Sequence, residues 1–435
     1  MTGPGAGAGR VRGAQGWRAF RHRNYRLFFA GQAVSLVGTW MMTVAQSWLV
    51  LQLTGDPFML GVVAAAQFLP VLVLGLFGGI VADGLPKRRT LIVTQGLAAI
   101  LSLTLFLLAV TGAVQVWQIV VLALLGGVRN AVDLPTRQAF AVELVGREDI
   151  GNAVALNSAL FNGARVVGPA IAGIVIGLSG VAFAFLIDAV SFLGVLVGLV
   201  LMREDELRLP PVTARPGSVG EVLGTIAEGL RYVRRTDLVL LAVLVVGLVS
   251  TFGMNFTVLA PALARDVLHT DASGYGFLMA ATGVGSLVTA LVIAFRGRAR
   301  PVTIAAGALL MGLAEVVLGL SGHLPLSLLA MGAVGVGTIL MAATANTVIQ
   351  LAVPDDLRGR VMSVYTTVFA GSTPVGGLLM GWIAAQAGVA DAFVLGGLAC
   401  VGVAIGALVW LHGRPLPGSA PAARSASRPA EVAGQ

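Results

Sequence analysis

Twelve apolar runs of roughly bilayer-spanning length occupy most of this chain, and they leave few folds open to it. They lie near Leu27 to Leu53, Phe58 to Ala82, Thr90 to Thr111, Val116 to Ala139, Asn152 to Leu178, Val181 to Met202, Leu238 to Ala264, Gly274 to Phe295, Pro301 to Leu320, Pro325 to Gln350, Val361 to Ala387 and Ala392 to Leu411. About 20 apolar residues cross the hydrocarbon as a helix, and a lipid-exposed segment must satisfy its own backbone hydrogen bonds. The expectation is an all-α integral membrane protein. Of 435 residues, 57% are hydrophobic and 11% charged, more apolar surface than one soluble core could bury. A net charge of +8 would suggest nucleic acid in a soluble chain. Here the arginines stand between apolar runs rather than along one helical face, so they read as topology signals and no nucleic-acid partner is expected. The single cysteine, Cys400, lies inside an apolar run, which excludes a disulfide framework or thiolate metal cluster.

Alternate threading of the twelve runs puts nearly every cation on one side. That side collects the amino-terminal arm, Lys87 to Arg89, Arg147, the 203 to 235 segment, Arg296 to Arg300, Arg358, Arg360 and the tail, while the other keeps only Arg265 with His269 and His323. Lys and Arg near short loops resist translocation, so both termini are expected in the cytoplasm of a plasma-membrane protein. The first run is about a full span and lacks a cleavage site, so it reads as an uncleaved helix. Arginines against Trp17, Phe20 and Tyr25 suit a short interfacial helix from Trp17 to Arg26. Between Arg203 and Arg235 the hydropathy breaks: REDELRLPPVTARPGS is charged and Pro-rich, and GEVLGTIAEGLRYVRR reads as an amphipathic helix on the cytoplasmic face. The organisation expected is an arm (1–24), a six-helix bundle (25–202), a cytoplasmic linker (203–236), a second six-helix bundle (237–412) and a disordered cytoplasmic tail (413–435).

The halves echo each other. Gly151, Gly163, Gly168 and Gly173 on the fifth run match Gly359, Gly371, Gly376 and Gly381 on the eleventh at a constant shift, 359 − 151 = 381 − 173 = 208. TGDPFMLG ending at Gly61 likewise echoes HTDASGYG ending at Gly276. Twelve transmembrane helices in two pseudo-symmetric, parallel six-helix bundles imply a transporter whose substrate sits at the midplane between rocking halves.

Three stretches carry a family resemblance: GGIVADGLPKRR after the second span, DLPTRQAFAVELVGREDIGNAVALNSALFNGARVVGPAIAG across spans four and five, and VPDDLRGRVMSVY leading into span eleven. From Arg23 to His412 the chain resembles the major facilitator superfamily, more narrowly its macrolide-efflux and enterobactin-exporter type of drug:proton antiporter. The family loop usually has an Arg directly after its Asp; here Gly84 stands there. Asp83 would therefore lean on Arg88, Arg89 or the amino end of span eleven.

A gating loop of Gly79, Asp83, Lys87, Arg88 and Arg89 would face Arg358, Gly359 and Arg360 of the opposite half on the cytoplasmic side. A charged contact there could be worth about 1 to 3 kcal/mol, enough to bias a two-state equilibrium tenfold or more. For Lys87 to Arg89 a purely topological role is favoured; for Asp83, the gate.

Ionisable residues inside a membrane are expensive and point to function. Arg129, Asp133 and Arg137 recur every fourth residue on span four and share one face, beside Pro135 and its missing backbone donor. Arg165 falls about 13 residues, roughly 20 Å, into span five, and Asp188 about seven residues, roughly 10 Å, from the outer end of span six. Glu315 lies in the second half of span nine. Together these are candidates for proton coupling. Asp133 between two arginines fits a permanent salt bridge equally well. Asp188 has no cation within a turn of its own helix and is the preferred titrating site, with Arg165 as its expected cross-helix partner, in a relay or a static bridge. Glu315 has the alternative of facing water near the cytoplasmic end.

Gly163, Gly168, Pro169 and Gly173 resemble the superfamily's antiporter motif, which implies export against protons; tight helix packing is part of the same reading. Gln46, Asn157, Asn162, Asn255 and Asn346 are cavity candidates, each equally readable as an interhelical hydrogen bond. No phosphate-binding loop ending in Lys-Ser or Lys-Thr occurs, His22, His269, His323 and His412 lack ligand spacing, and no Ser, His and Asp constellation is present. No cofactor, metal or enzymatic activity is therefore expected. The reading is a secondary transporter, expected as a monomer, that exports a hydrophobic or amphipathic small molecule in exchange for protons. The alternatives are metabolite uptake or a transport-inactive membrane sensor or secretion component.

Overall fold

The computed structural model describes residues 17–208, 219–296 and 300–412; the arm to residue 16, the tail from 413 and linker residues 209–218 lie outside the described residues. Helices α1 (Arg23–Thr54), α2 (Pro57–Gly84) and α3 (Lys87–Val110) come first. A 64-residue run, Val116–Ser179, then breaks at Gly146 into two spans, α4 (116–145) and α5 (147–179), and α6 (Val181–Val200) closes the first half. An amphipathic helix α7 (Val219–Arg235) leads to α8 (Asp237–Val267), α9 (Ala272–Arg296), α10 (Pro301–Leu320), α11 (Leu324–Ala352), α12 (Asp355–Ala387) and α13 (Val389–His412). Eleven helices among the described residues are long and apolar enough to cross a bilayer, and the break at Gly146 makes the longest of them two spans. The chain is a multi-pass membrane protein.

The fourth span departs from expectation. The sequence suggests a loop from about Phe140 to Gly151, yet the helix runs on to Gly146, whose φ of 75° and ψ of 175° turn the chain directly into α5. An L side chain resists that backbone conformation. The extension is held by partners distant in sequence: Lys87 pairs with Glu143 at 2.7 Å, and the Arg208 backbone N–H donates to the Glu143 carbonyl at 2.9 Å. At the start of the chain, the expected interfacial helix is a short 3₁₀ turn, Arg18–Arg21, before α1 begins. Span seven is also less regular than expected, interrupted between Phe252 and Phe256 and finishing in a π-helical turn, Leu263–Val267.

Packing repeats between the halves. In the first, α1 lies against α6 and α5, and α2 against α4; in the second, α8 lies against α12, and α9 against α11. Small residues set the approach. A Cβ built on Gly168 of α5 would strike Trp40 of α1, and one built on its 208-shifted counterpart Gly376 would strike the Thr251 carbonyl of α8. Such residues let membrane helices meet backbone to backbone, where dispersion rather than the hydrophobic effect drives association.

Two seams join the halves, α2 with α12 and α5 with α9. Both are tight on the side away from the described chain ends. Gly61 meets the Gly377 carbonyl, Gly381 approaches Pro57, and Gly173 lies against Gly276. Around them Trp48 stacks on Tyr275 at 6.3 Å, Ser273 Oγ donates to the Gly173 carbonyl at 3.1 Å, and Arg265 donates to the carbonyls of Leu51 at 3.0 Å and Gly55 at 3.1 Å. Toward the chain ends of the same helices, a Cβ built on Gly151, Gly163 or Gly359 would meet no described atom within 4 Å. Among the described residues, the closest glycine contacts across the two seams lie on the side away from the chain ends.

Candidate functional site

The paired cations expected at the gate meet groups of their own half or of the adjoining linker. Arg88 donates to the carbonyls of Leu199 at 2.7 Å and Val200 at 3.0 Å and pairs with Glu204, so it caps the carboxyl end of α6, where a cation is favoured by the helix dipole. Lys87 is taken by Glu143, and Arg89 is exposed. In the other half Arg358 pairs with Asp355 at 2.5 Å and donates to the Gln350 carbonyl at 3.1 Å, while Arg360 pairs with Glu228 of α7. Gly359, between them, faces open space. The side chains at Gly79 and Asp83 lie outside the described residues.

Four helices build the polar centre of the first half. Asp133 of α4 is 1% exposed, pairs with Arg137, and accepts hydrogen bonds from Thr94 at 2.6 Å and Gln95 at 2.7 Å on α3. Arg137 reaches on to Gln32 Oε1 of α1 at 3.1 Å. Both Asp133 oxygens are occupied, as a buried charge requires if it is to persist. Asp188 of α6 differs. It is 1% exposed, Oδ2 accepts from Ser102 at 2.6 Å, and among the described residues Oδ1 has no hydrogen-bond partner. Gly38 of α1 makes room for it, since a Cβ there would lie 2.9 Å from Oδ1. Arg129, which donates to Asn130 at 2.7 Å, stands within electrostatic reach of both acids.

Arg165 is not brought to Asp188. Its guanidinium lies over the Trp40 ring, 5.8 Å from the centroid, and Trp40 meets Phe161 edge-on at 5.7 Å. Positions along two separate helices do not reveal their relative rotation, and here rotation turns Arg165 toward α1. Glu315 is also corrected: it does not face water, being 2% exposed in the half of α10 away from the chain ends, with the Cys400 thiol of α13 and Gly253 of α8 beside it.

On α5, Gly168, Pro169 and Gly173 are buried in contacts with α1 and α9, while a Cβ built on Gly163 would meet no described atom within 4 Å. Of the cavity candidates, Gln46 and Asn255 are buried, and Asn255 donates to the Thr251 carbonyl at 2.8 Å beside the break in α8. Asn157 accepts from the Tyr25 hydroxyl at 3.4 Å, Asn162 donates to the Ser158 carbonyl at 2.8 Å, and Asn346 accepts from Gln350 at 2.5 Å; these three are partly exposed. Sequence reasoning missed Gln32, Thr94, Gln95 and Ser102, which hold the two aspartates and their arginine. Their signal was present, as each is a polar residue within an apolar run.

The family described as transmembrane secretion effector, a branch of the major facilitator superfamily, matches residues 14–431, and this chain belongs to it. It is a transporter by family and not an enzyme. It is similar to the multidrug efflux pump Tap of Mycolicibacterium fortuitum, 30% identical over 82% of this chain and 88% of that one. It is also similar to the staphyloferrin A transporter of Staphylococcus aureus, 25% identical over 86% of this chain and 93% of that one. Among solved structures, the nucleoside transporter NupG shares the fold, with a TM-score of 0.66 at 15% identity over 89% of this chain and 98% of that one.

Proposed function

We propose that this transporter exports a hydrophobic or amphipathic small molecule, such as a drug, macrolide, siderophore or similar secondary metabolite, in exchange for protons by alternating access. Both termini lie in the cytoplasm, the two bundles (25–202 and 237–412) rock about the linker (203–236), and the chain works as a monomer. On that orientation a crevice between the halves opens inward, ready to load cargo from the cytoplasm or inner leaflet. The observation that carries the proton half of the reading is Asp188, buried at the polar centre with one oxygen held by Ser102 and the other unpartnered among the described residues. A carboxylate so placed is costly to keep charged unless a counter-charge approaches, so its protonation state follows the movement of its surroundings. Asp133, with every oxygen satisfied, holds the helices instead. At the inner mouth Asp83 clamps the halves in the opposite, outward-open state, reached when Arg358 and Arg360 swing toward it.

The test is transport in energised inverted membrane vesicles. Accumulation of a fluorescent drug that a protonophore collapses supports export. Accumulation only in right-side-out vesicles would make it an importer, and no protein-dependent movement in either would favour a sensor or secretion component.

A further inference from the structure

The charges set deep among the spans are unevenly displayed. All three acids set deep among the spans, Asp133, Asp188 and Glu315, are at most 2% exposed, whereas Arg129, Arg137 and Arg165 are each partly exposed. Arg165 is the most unusual of these. Counting from Ser179 it sits about 14 residues, roughly 21 Å, down α5, well inside hydrocarbon depth. Among the described residues no acid pairs with it, and its guanidinium rests on the face of Trp40. A guanidinium at this depth cannot face lipid without heavy cost, so its exposed part faces the crevice.

Its position is central. The Arg165 carbonyl lies against Gly283 of α9, so the residue marks a point where the two halves touch. Two residues toward the chain ends, at Gly163, the same helix faces open space. One turn away, Phe161 shares the Arg165 face, is 47% exposed and meets Trp40 edge-on. The guanidinium thus rests on Trp40, with Phe161 edge-on to that ring, and its five donors can bind a carboxylate in a bidentate fork.

Resting on the transport reading above, we propose that Trp40, Phe161 and Arg165 form an anion-binding subsite at the closed end of the crevice, selecting amphipathic aromatic acids over cations of the same size. The acid group takes the guanidinium that rests on the Trp40 face, and the ring system of the cargo stacks beside Phe161 and Trp40. This would separate the protein from pumps that recognise lipophilic cations, because an exposed acid for a cation to meet is lacking among the described residues at this depth.

The test uses three probes matched in shape and differing in charge, 1-naphthylacetate, 1-naphthylacetamide and 1-naphthylethylammonium, titrated calorimetrically against the full chain in nanodiscs. The acid should bind at least tenfold tighter than the amide, and the ammonium weakest. Arg165→Gln should erase the difference between acid and amide, and Arg165→Lys, which keeps the charge, should retain part of the preference. Equal binding of acid and amide, preference for the ammonium, or no binding of the acid at millimolar concentration would overturn the proposal. If Arg165→Gln fails to fold, the wild-type ranking and the lysine variant still decide. The vesicle assay fails separately: transport without acid preference removes only this subsite, and acid preference without protonophore-sensitive transport removes only the export reading.

Discussion

Asp133 and Asp188 are equally buried yet differently supplied, and opposite variants should tell them apart. Asp188→Asn leaves Ser102 a partner and so should keep the fold, while substrate-driven proton flux disappears; an entrapped pH dye in proteoliposomes reads this directly, and intact flux would remove Asp188 from the mechanism. Asp133→Ala strands Arg137 beside Thr94 and Gln95, and losing one member of a buried pair costs about 3 kcal/mol or more. It should lower the melting temperature in detergent before any transport question arises. Asp83→Asn should abolish efflux with normal expression and insertion, because the inner clamp would be lost while the topological cations remain. The i, i+4 spacing of Asp133 and Arg137 was readable in the sequence, and the pair forms as that spacing implies. The expected Arg165 to Asp188 contact does not form, because depth in the membrane says nothing of azimuth. Hydroxyl and amide ligands such as Ser102 and Gln95 escaped for a related reason: a polar residue in an apolar run signals a partner without naming it.

The twelve spans were legible from length and hydropathy, since lipid allows a helix few alternatives. What escaped was the extension of α4, where Glu143 looks like a loop residue until Lys87 and Arg208 are seen to hold that end. The glycine correspondence at 208 proved to have physical content, with Gly168 and Gly376 pressed against equivalent helices of the two halves. The α5 to α9 seam yields a test at this level. A Cβ at Gly276 would lie 2.5 Å from the Pro169 carbonyl, so Gly276→Leu should wedge the far side open. The only cysteine is buried, so Ser273→Cys in a Cys400→Ala background supplies a clean probe. Labelling of that cysteine by an impermeant maleimide added outside intact cells should rise several-fold when Gly276→Leu is added, and an unchanged rate would mean the seam does not govern access.

At the scale of the molecule, the charge asymmetry between loops predicts that a reporter fused within the 203 to 235 segment is active only in the cytoplasm. An external signal would invert the crevice and with it the direction of transport. The far-side seam carries a further consequence. Its closest contacts are main chain against main chain, Gly61 on Gly377 and Gly173 on Gly276, with Trp48, Tyr275, Ser273 and Arg265 around them. Parting such surfaces forfeits weak dispersion contacts a few at a time and restores almost no rotamer freedom, since glycine has none to regain. The glycine part of the seam therefore leaves little to undo when it parts, and the Arg265 hydrogen bonds with the Trp48 and Tyr275 stack are what a bound cargo molecule or a transferred proton has to outweigh.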